Sequence, residues 1–184
     1  MLRDNVKVAC LAICGLIVAC GDDDDDTEMD MTTTQLSATD QALCGALEGT
    51  ARSTATAAAP SAQFTPGATL PALNADATAY TLTLPMDEMG GSTFEGFAEI
   101  VVQEDGEYVV AIGGEATLIV IPRPMGPPTP SMPTETLSGS DSPCPDSVNQ
   151  RLTYSLSASA SQGVHYFQFE SASSTIDVSV LRTN

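Results

Sequence analysis

His165 is the single imidazole of the sequence, so general-base chemistry near neutral pH would have to run through it. It stands in the run Val164-His165-Tyr166-Phe167-Gln168-Phe169, where strand parity puts it on the face of Phe167 and Phe169. That setting suits a structural or surface histidine better than a catalytic one. Glu95 and Glu99 flank Phe97 on one strand face, whereas a glycosidase needs two carboxylates facing each other across a cleft. Two on one strand form a solvated face. The sequence contains no G-x-S-x-G elbow, no phosphate-cradling glycine loop and no metal-ligand spacing. The expectation is a protein with no catalytic residue, no cofactor and no metal site, which leaves its thiols as the reactive groups.

Cys20 follows a charged and then apolar opening. Arg3 and Lys7 supply positive charge, Val8 to Val18 an apolar run, and Ala19 a small residue before the thiol. The run falls short of the roughly twenty residues needed to cross a hydrocarbon core. Ile17-Val18-Ala19-Cys20 resembles the lipobox of bacterial lipoproteins. The resemblance implies a signal peptide over 1–19, cleavage before Cys20, a diacylglyceryl group on its thiol and an acyl chain on its new amino group. Two or more chains hold a protein at a bilayer, so the lipid bilayer is the expected partner and the bacterial cell envelope the expected location. Gly21 rather than an aspartate after Cys20 favours the outer membrane over the inner.

Without residues 1–19 the chain keeps four arginines, no lysine and twenty-three acids, a formal charge of −19. Such a surface repels phosphate backbones and anionic headgroups, which excludes nucleic acid as a partner. Cys10 and Cys14 would leave with the signal peptide and Cys20 would carry lipid. Cys44 and Cys144 then remain, and an even pair in an exported chain reads as one disulfide. Closing a loop of about a hundred residues stabilises by about 4.7 kcal/mol in the chain-entropy model.

Several kinds of segment surround these residues. Over 20–35, Asp22 to Asp26, Glu28 and Asp30 repel one another and bury nothing, which predicts a solvated tether; a contiguous aspartate run lacks the spaced oxygens of a calcium loop. Residues 36–74 read as irregular, with a short helix around Asp40 to Leu47 capped by Ser37 and a linker or an irregular edge from Thr50 to Pro60. From about residue 75 to 184 the period becomes two. Tyr80, Leu82 and Leu84 alternate with polar neighbours, and Phe94 to Gln103 pairs with Tyr108 to Ile112 as an expected hairpin through Glu104-Asp105-Gly106-Glu107. Ala116 to Ile121 reads as a central strand covered on both faces. Residues 122–147 carry eight prolines and read as one long exposed loop. Strands resume at Leu152 to Leu156, and Val164 to Phe169 and Ile176 to Val180 form a second expected hairpin. About seven strands with little helix predict an all-β protein, a Greek-key or jelly-roll β-sandwich, with a closed barrel as the competing architecture.

The strands Tyr80-Thr81-Leu82-Thr83-Leu84, Gly106-Glu107-Tyr108-Val109-Val110, Gly163-Val164-His165-Tyr166-Phe167-Gln168-Phe169 and Ile176-Asp177-Val178-Ser179-Val180 resemble bacterial prepeptidase C-terminal-type β-sandwich domains. The likeness implies a sandwich with an accessory or binding role and no transferable catalytic residue. The expected function is a non-enzymatic binding or structural module for a protein or glycan ligand at the envelope. The alternatives are an accessory subunit docking to a secreted or surface enzyme, or a hydrolase of unrecognised type.

The division between tether and folded domain is open to direct measurement. Deleting Gly21 to Thr34 should move the thermal midpoint, followed by circular dichroism, by no more than about a degree. Val120→Ala, in an apolar strand, should cost about 2 kcal/mol. Equal destabilisation by the two changes would show the acidic segment packed against the domain.

Overall fold

The computed structural model describes residues 36–63, 69–88, 90–123 and 129–183. The expected signal peptide, Cys20 and the expected acidic tether lie outside the described residues. Two sheets pack face to face. The six-stranded sheet has the order β1 (Ser53–Thr56), β3 (Asp76–Thr83), β10 (Thr175–Thr183), β5 (Gly106–Gly113), β8 (Gln150–Leu156) and β7 (Glu135–Ser138). The four-stranded sheet has the order β2 (Ala72–Leu73), β4 (Phe94–Val101), β9 (Val164–Ser171) and β6 (Ala116–Pro122). The fold is the all-β sandwich expected from the alternating pattern. Inward parity gathers Tyr80, Leu82, Ile100, Val110, Val120, Tyr154, Phe167 and Val178 into one buried layer.

Successive strands cross from one sheet to the other almost throughout; among consecutive strands only β7 and β8 pair. The order β3-β10-β5-β8 facing β4-β9-β6 is a jelly-roll arrangement, which decides between the two connections left open by the sequence. It also corrects both expected hairpins. β4 pairs with β9, and β5 with β10 and β8, so residues 102–105 arch over the sandwich instead of turning within a sheet. β9 and β10 likewise belong to different sheets. Period-two patterning reports which side chains face inward, and it carries no information about the neighbouring strand.

The two arches hold each other. Val102 N–H, leaving β4, donates to Gly163 O at 2.7 Å, while Asp105 accepts from Ala158 N–H at 2.7 Å and Ser157 Oγ at 2.9 Å in the β8–β9 connection. Those bonds hold the Asp105 carboxyl below its ordinary pKa, the Ala158 N–H most strongly. Gly163 has φ +77°, and a Cβ there would lie 2.3 Å from Val102 O. Only glycine fits the contact.

Among the described residues there are ten strands rather than about seven, and the additions come from segments expected to be irregular or loop. β1 runs parallel to β3 within 50–60, which takes the edge rather than the linker of the two readings left open there, and β2 adds two residues beside β4. β1 is a largely exposed edge of Ser, Thr and Ala, so no apolar alternation marks it. The sandwich thus begins before residue 75. Residues 122–147 are not all loop either: Glu135–Ser138, a proline-free stretch, pairs antiparallel with β8. β6, expected to be central and covered on both faces, lies instead at the edge of its sheet with Thr117 and Ile119 exposed.

The expected short helix is α1 (Ala38–Glu48), with Ser37 Oγ accepting from Asp40 N–H at 3.1 Å. Its Leu43, Cys44 and Leu47 cover Ala79, Val109, Ala111 and Val148 on the outer face of the six-stranded sheet. Three ties hold it there. Arg151 of β8 donates from Nε to Asp40 at 2.6 Å and also binds Glu135. Cys44 is joined to Cys144 as a disulfide, with Cα atoms 6.0 Å apart. Arg52 binds Asp177 of β10 and donates to Leu47 O near the helix end.

Gly163→Ala tests the interlocked arches. A left-handed backbone costs a non-glycine residue about 1–2 kcal/mol, and displacing the Val102 carbonyl adds to it. Urea denaturation should show a loss of at least about 2 kcal/mol; a near-neutral result would mean that the arches are not in close contact.

Candidate functional site

The structure places the residues singled out by the sequence in separate surroundings. His165 is only 2 % exposed and lies on the inner face of β9 with Phe167 and Phe169. Its Nε2 lies 3.2 Å from Ser157 O; a carbonyl only accepts, so Nε2 carries the proton. Nδ1 is buried without a partner, and burial pulls the imidazole pKa down, so the ring is held neutral. It ties β9 to the β8–β9 arch. Glu95 and Glu99 lie on the outer face of the four-stranded sheet, where Glu95 accepts from Gln168 Nε2 at 2.5 Å and pairs in register with Glu170. They do not confront each other across a cleft.

The structure instead presents a cavity of about 550 Å³ where the chain passes from β2 to β3 and beside the end of β4. Residues 72–76 form one side, Val101, Gln103 and Glu104 another, with Tyr108 and Arg182 contributed by β5 and β10. Leu73 and Tyr108, each 2 % exposed, are its most buried members. The Tyr108 hydroxyl donates to Glu104 O at 2.9 Å, and burial raises its pKa. Ala77 has φ +62°, and opposite it the register of β10 shifts between Ser179 and Leu181. Those irregularities bring Arg182 to the cavity, with Nη1 2.5 Å from Glu104 Oε2 and Nη2 donating to Asp105 O at 3.2 Å. A Cβ at Gly106 would lie 3.2 Å from Arg182 Nε, so the missing side chain leaves space for the guanidinium.

Asp76 uses Oδ1 to accept Thr78 N–H at 3.0 Å. Among the described residues, its other oxygen and the side-chain amides of Asn74 and Gln103 make no hydrogen bond. Val101 is 48 % exposed beside them. Sequence reasoning singled out none of these groups as a site, because the lining comes from three separated stretches joined only by the crossing of the chain between sheets. The turn at Glu104-Asp105-Gly106-Glu107 was the visible signal, and it marked a change of direction without a ligand chemistry.

The neutral, buried His165 makes stability depend on pH in a definite sense. Above 6.5, the ordinary imidazole value, both folded and unfolded states hold a neutral ring. Below it the unfolded chain takes up a proton that the folded core does not, so stability declines as pH falls toward the lowered folded value. His165→Leu should remove this component: its unfolding free energy, measured in urea from about pH 7.5 down to about 5.5, should change less than that of the parent. An identical pH slope would place the titration elsewhere.

Compared with known proteins, the chain matches no family model and no curated sequence.

Proposed function

We propose that this chain is a lipid-anchored envelope lipoprotein whose β-sandwich is a non-enzymatic binding or structural module. The observation that carries the reading is Ile17-Val18-Ala19-Cys20, placed after Arg3, Lys7 and a short apolar run and before five consecutive aspartates. A small residue and then a thiol at the end of such a run is the arrangement that lipid attachment requires, and the acidic stretch would hold the domain away from anionic headgroups. The outer membrane is the proposed location, from Gly21 after Cys20.

Two features of the folded domain support the reading. The Cys44–Cys144 disulfide suits an oxidising compartment. The cavity beside Asp76 has the size of a ligand site and a mixed polar and apolar lining, while the one imidazole is buried away from it. A binding role follows more directly from that arrangement than acid–base catalysis does.

Mass spectrometry of the membrane fraction should find a chain that begins at Cys20 and carries thioether-linked and amide-linked lipid. Cys20→Ala should move the protein to the soluble fraction without changing its thermal midpoint. An unmodified terminus elsewhere, or unchanged membrane association of Cys20→Ala, would overturn the proposal.

A further inference from the structure

We propose that the cavity between residues 72–76 and 101–108 binds a primary ammonium on an aliphatic stem, as a lysine of a partner polypeptide carries it. This rests on the reading of the domain as a binding module and names the chemistry of its ligand. Three charged side chains line the cavity: Asp76, Glu104 and Arg182. Glu104 is paired with Arg182, and Arg182 also donates to Asp105 O, so Asp76 is the lining charge with no ion-pair partner among the described residues. The field of a chain with a formal charge of −18 concentrates cations there.

The free hydrogen-bonding groups narrow the class. Asp76, Asn74 and Gln103 are all solvent-exposed at the cavity mouth; Asp76 has one unused oxygen, and the side-chain amides of Asn74 and Gln103 make no hydrogen bond among the described residues. An ammonium has three donors and no acceptor, so three oxygens match it. Ala72 and Val101 offer an apolar wall for a methylene stem, in the way lysine stems cover apolar surface beneath a charged head.

Other ligand classes fit less well. An anion would meet an arginine whose terminal nitrogens are engaged and whose unpartnered Nε is buried from solvent, inside a negative field. A sugar gains most from an open aromatic face, and Tyr108, the one aromatic in the lining, is buried with its hydroxyl engaged. A calcium ion needs six to eight oxygens, against a single unpaired carboxylate. Lys7 is the only lysine in the sequence, within the proposed signal peptide, so the partner is a different chain.

The test is a titration of the isotopically labelled full chain, followed by amide chemical shifts. The probes are Nα-acetyl-lysine amide, Nα-acetyl-norleucine amide, which keeps the stem without the charge, and cellobiose as a neutral polyol. Saturable shifts at Asn74, Asp76, Gln103 and Tyr108 are expected with the lysine probe alone. Asp76→Asn retains the acceptor for Thr78 N–H and should weaken binding roughly tenfold or more, as loss of a charged hydrogen bond does. Glu170→Gln, on the outer face of the other sheet, should leave the affinity unchanged. Absence of saturable shifts, equal weakening by Glu170→Gln, or equal saturation by norleucine amide or cellobiose would overturn the proposal. Lipid attachment is read at Cys20 by mass, so either proposal can fail without the other.

Discussion

The apolar layer between the sheets sustains the molecule, because hardly any strand lies beside its neighbour in sequence. In a run of hairpins each pair of strands can bond as soon as both exist. Here β4 finds its main partner only in β9, and β5 pairs with β8 and β10, so apart from β7 with β8 the ladders form only when stretches separated by other strands have been gathered. Burial gathers them: each large side chain taken into the layer contributes about 1.5–3 kcal/mol. The hydrogen bonds that join the arches after β4 and β8 then fix the two sheets in place, with His165 as a further tie. A neutral imidazole and a glycine with no room for a methyl group therefore belong to the same device, the crossing between layers.

Arginine is scarce in this acidic chain, and its placement is informative. Arg151 secures the start of α1, Arg52 its end, and Arg182 the arch beside the cavity. Exposed pairs of this kind contribute little each. Arg151, with only 12 % of its side chain exposed and two carboxylates around it, is the most sheltered. Its desolvation opposes the charged form, while Asp40 and Glu135 outweigh that effect and raise its pKa. The helix is thereby held at both ends by charge and in the middle by sulfur, over the small side chains Ala79 and Ala111, which leave space for its approach.

Much of the architecture was legible because burial imposes parity. Tyr80-Thr81-Leu82 and Tyr108-Val109-Val110 read as strands, and the spare thiols Cys44 and Cys144 pointed to the pair that the structure joins. Pairing partners were not legible, since a strand whose inward residues are apolar looks the same beside any neighbour. Edge strands were obscured for the opposite reason: Ser53–Thr56, open to reading as linker or edge, and Glu135–Ser138, read as loop, bury little, so their composition resembles loop. The candidate site was hidden still more completely. Asn74, Gln103 and Arg182 are ordinary polar residues until the β2–β3 crossing, the β4–β5 arch and the displaced end of β10 bring them to one cavity.

The strand order also constrains how such a chain can be made. β9 and β10, the last two strands of the sandwich, occupy interior positions in their sheets: β9 lies between β4 and β6, and β10 between β3 and β5. While a ribosome is still adding residues 164–183, both sheets lack a middle: β5-β8-β7 can pair, but β1-β3 has nothing to join it to them, and β2-β4 has nothing to join it to β6. The complete sandwich therefore awaits synthesis of the final strands. The same order makes the molecule intolerant of early termination, because losing β10 would split a sheet rather than trim its edge.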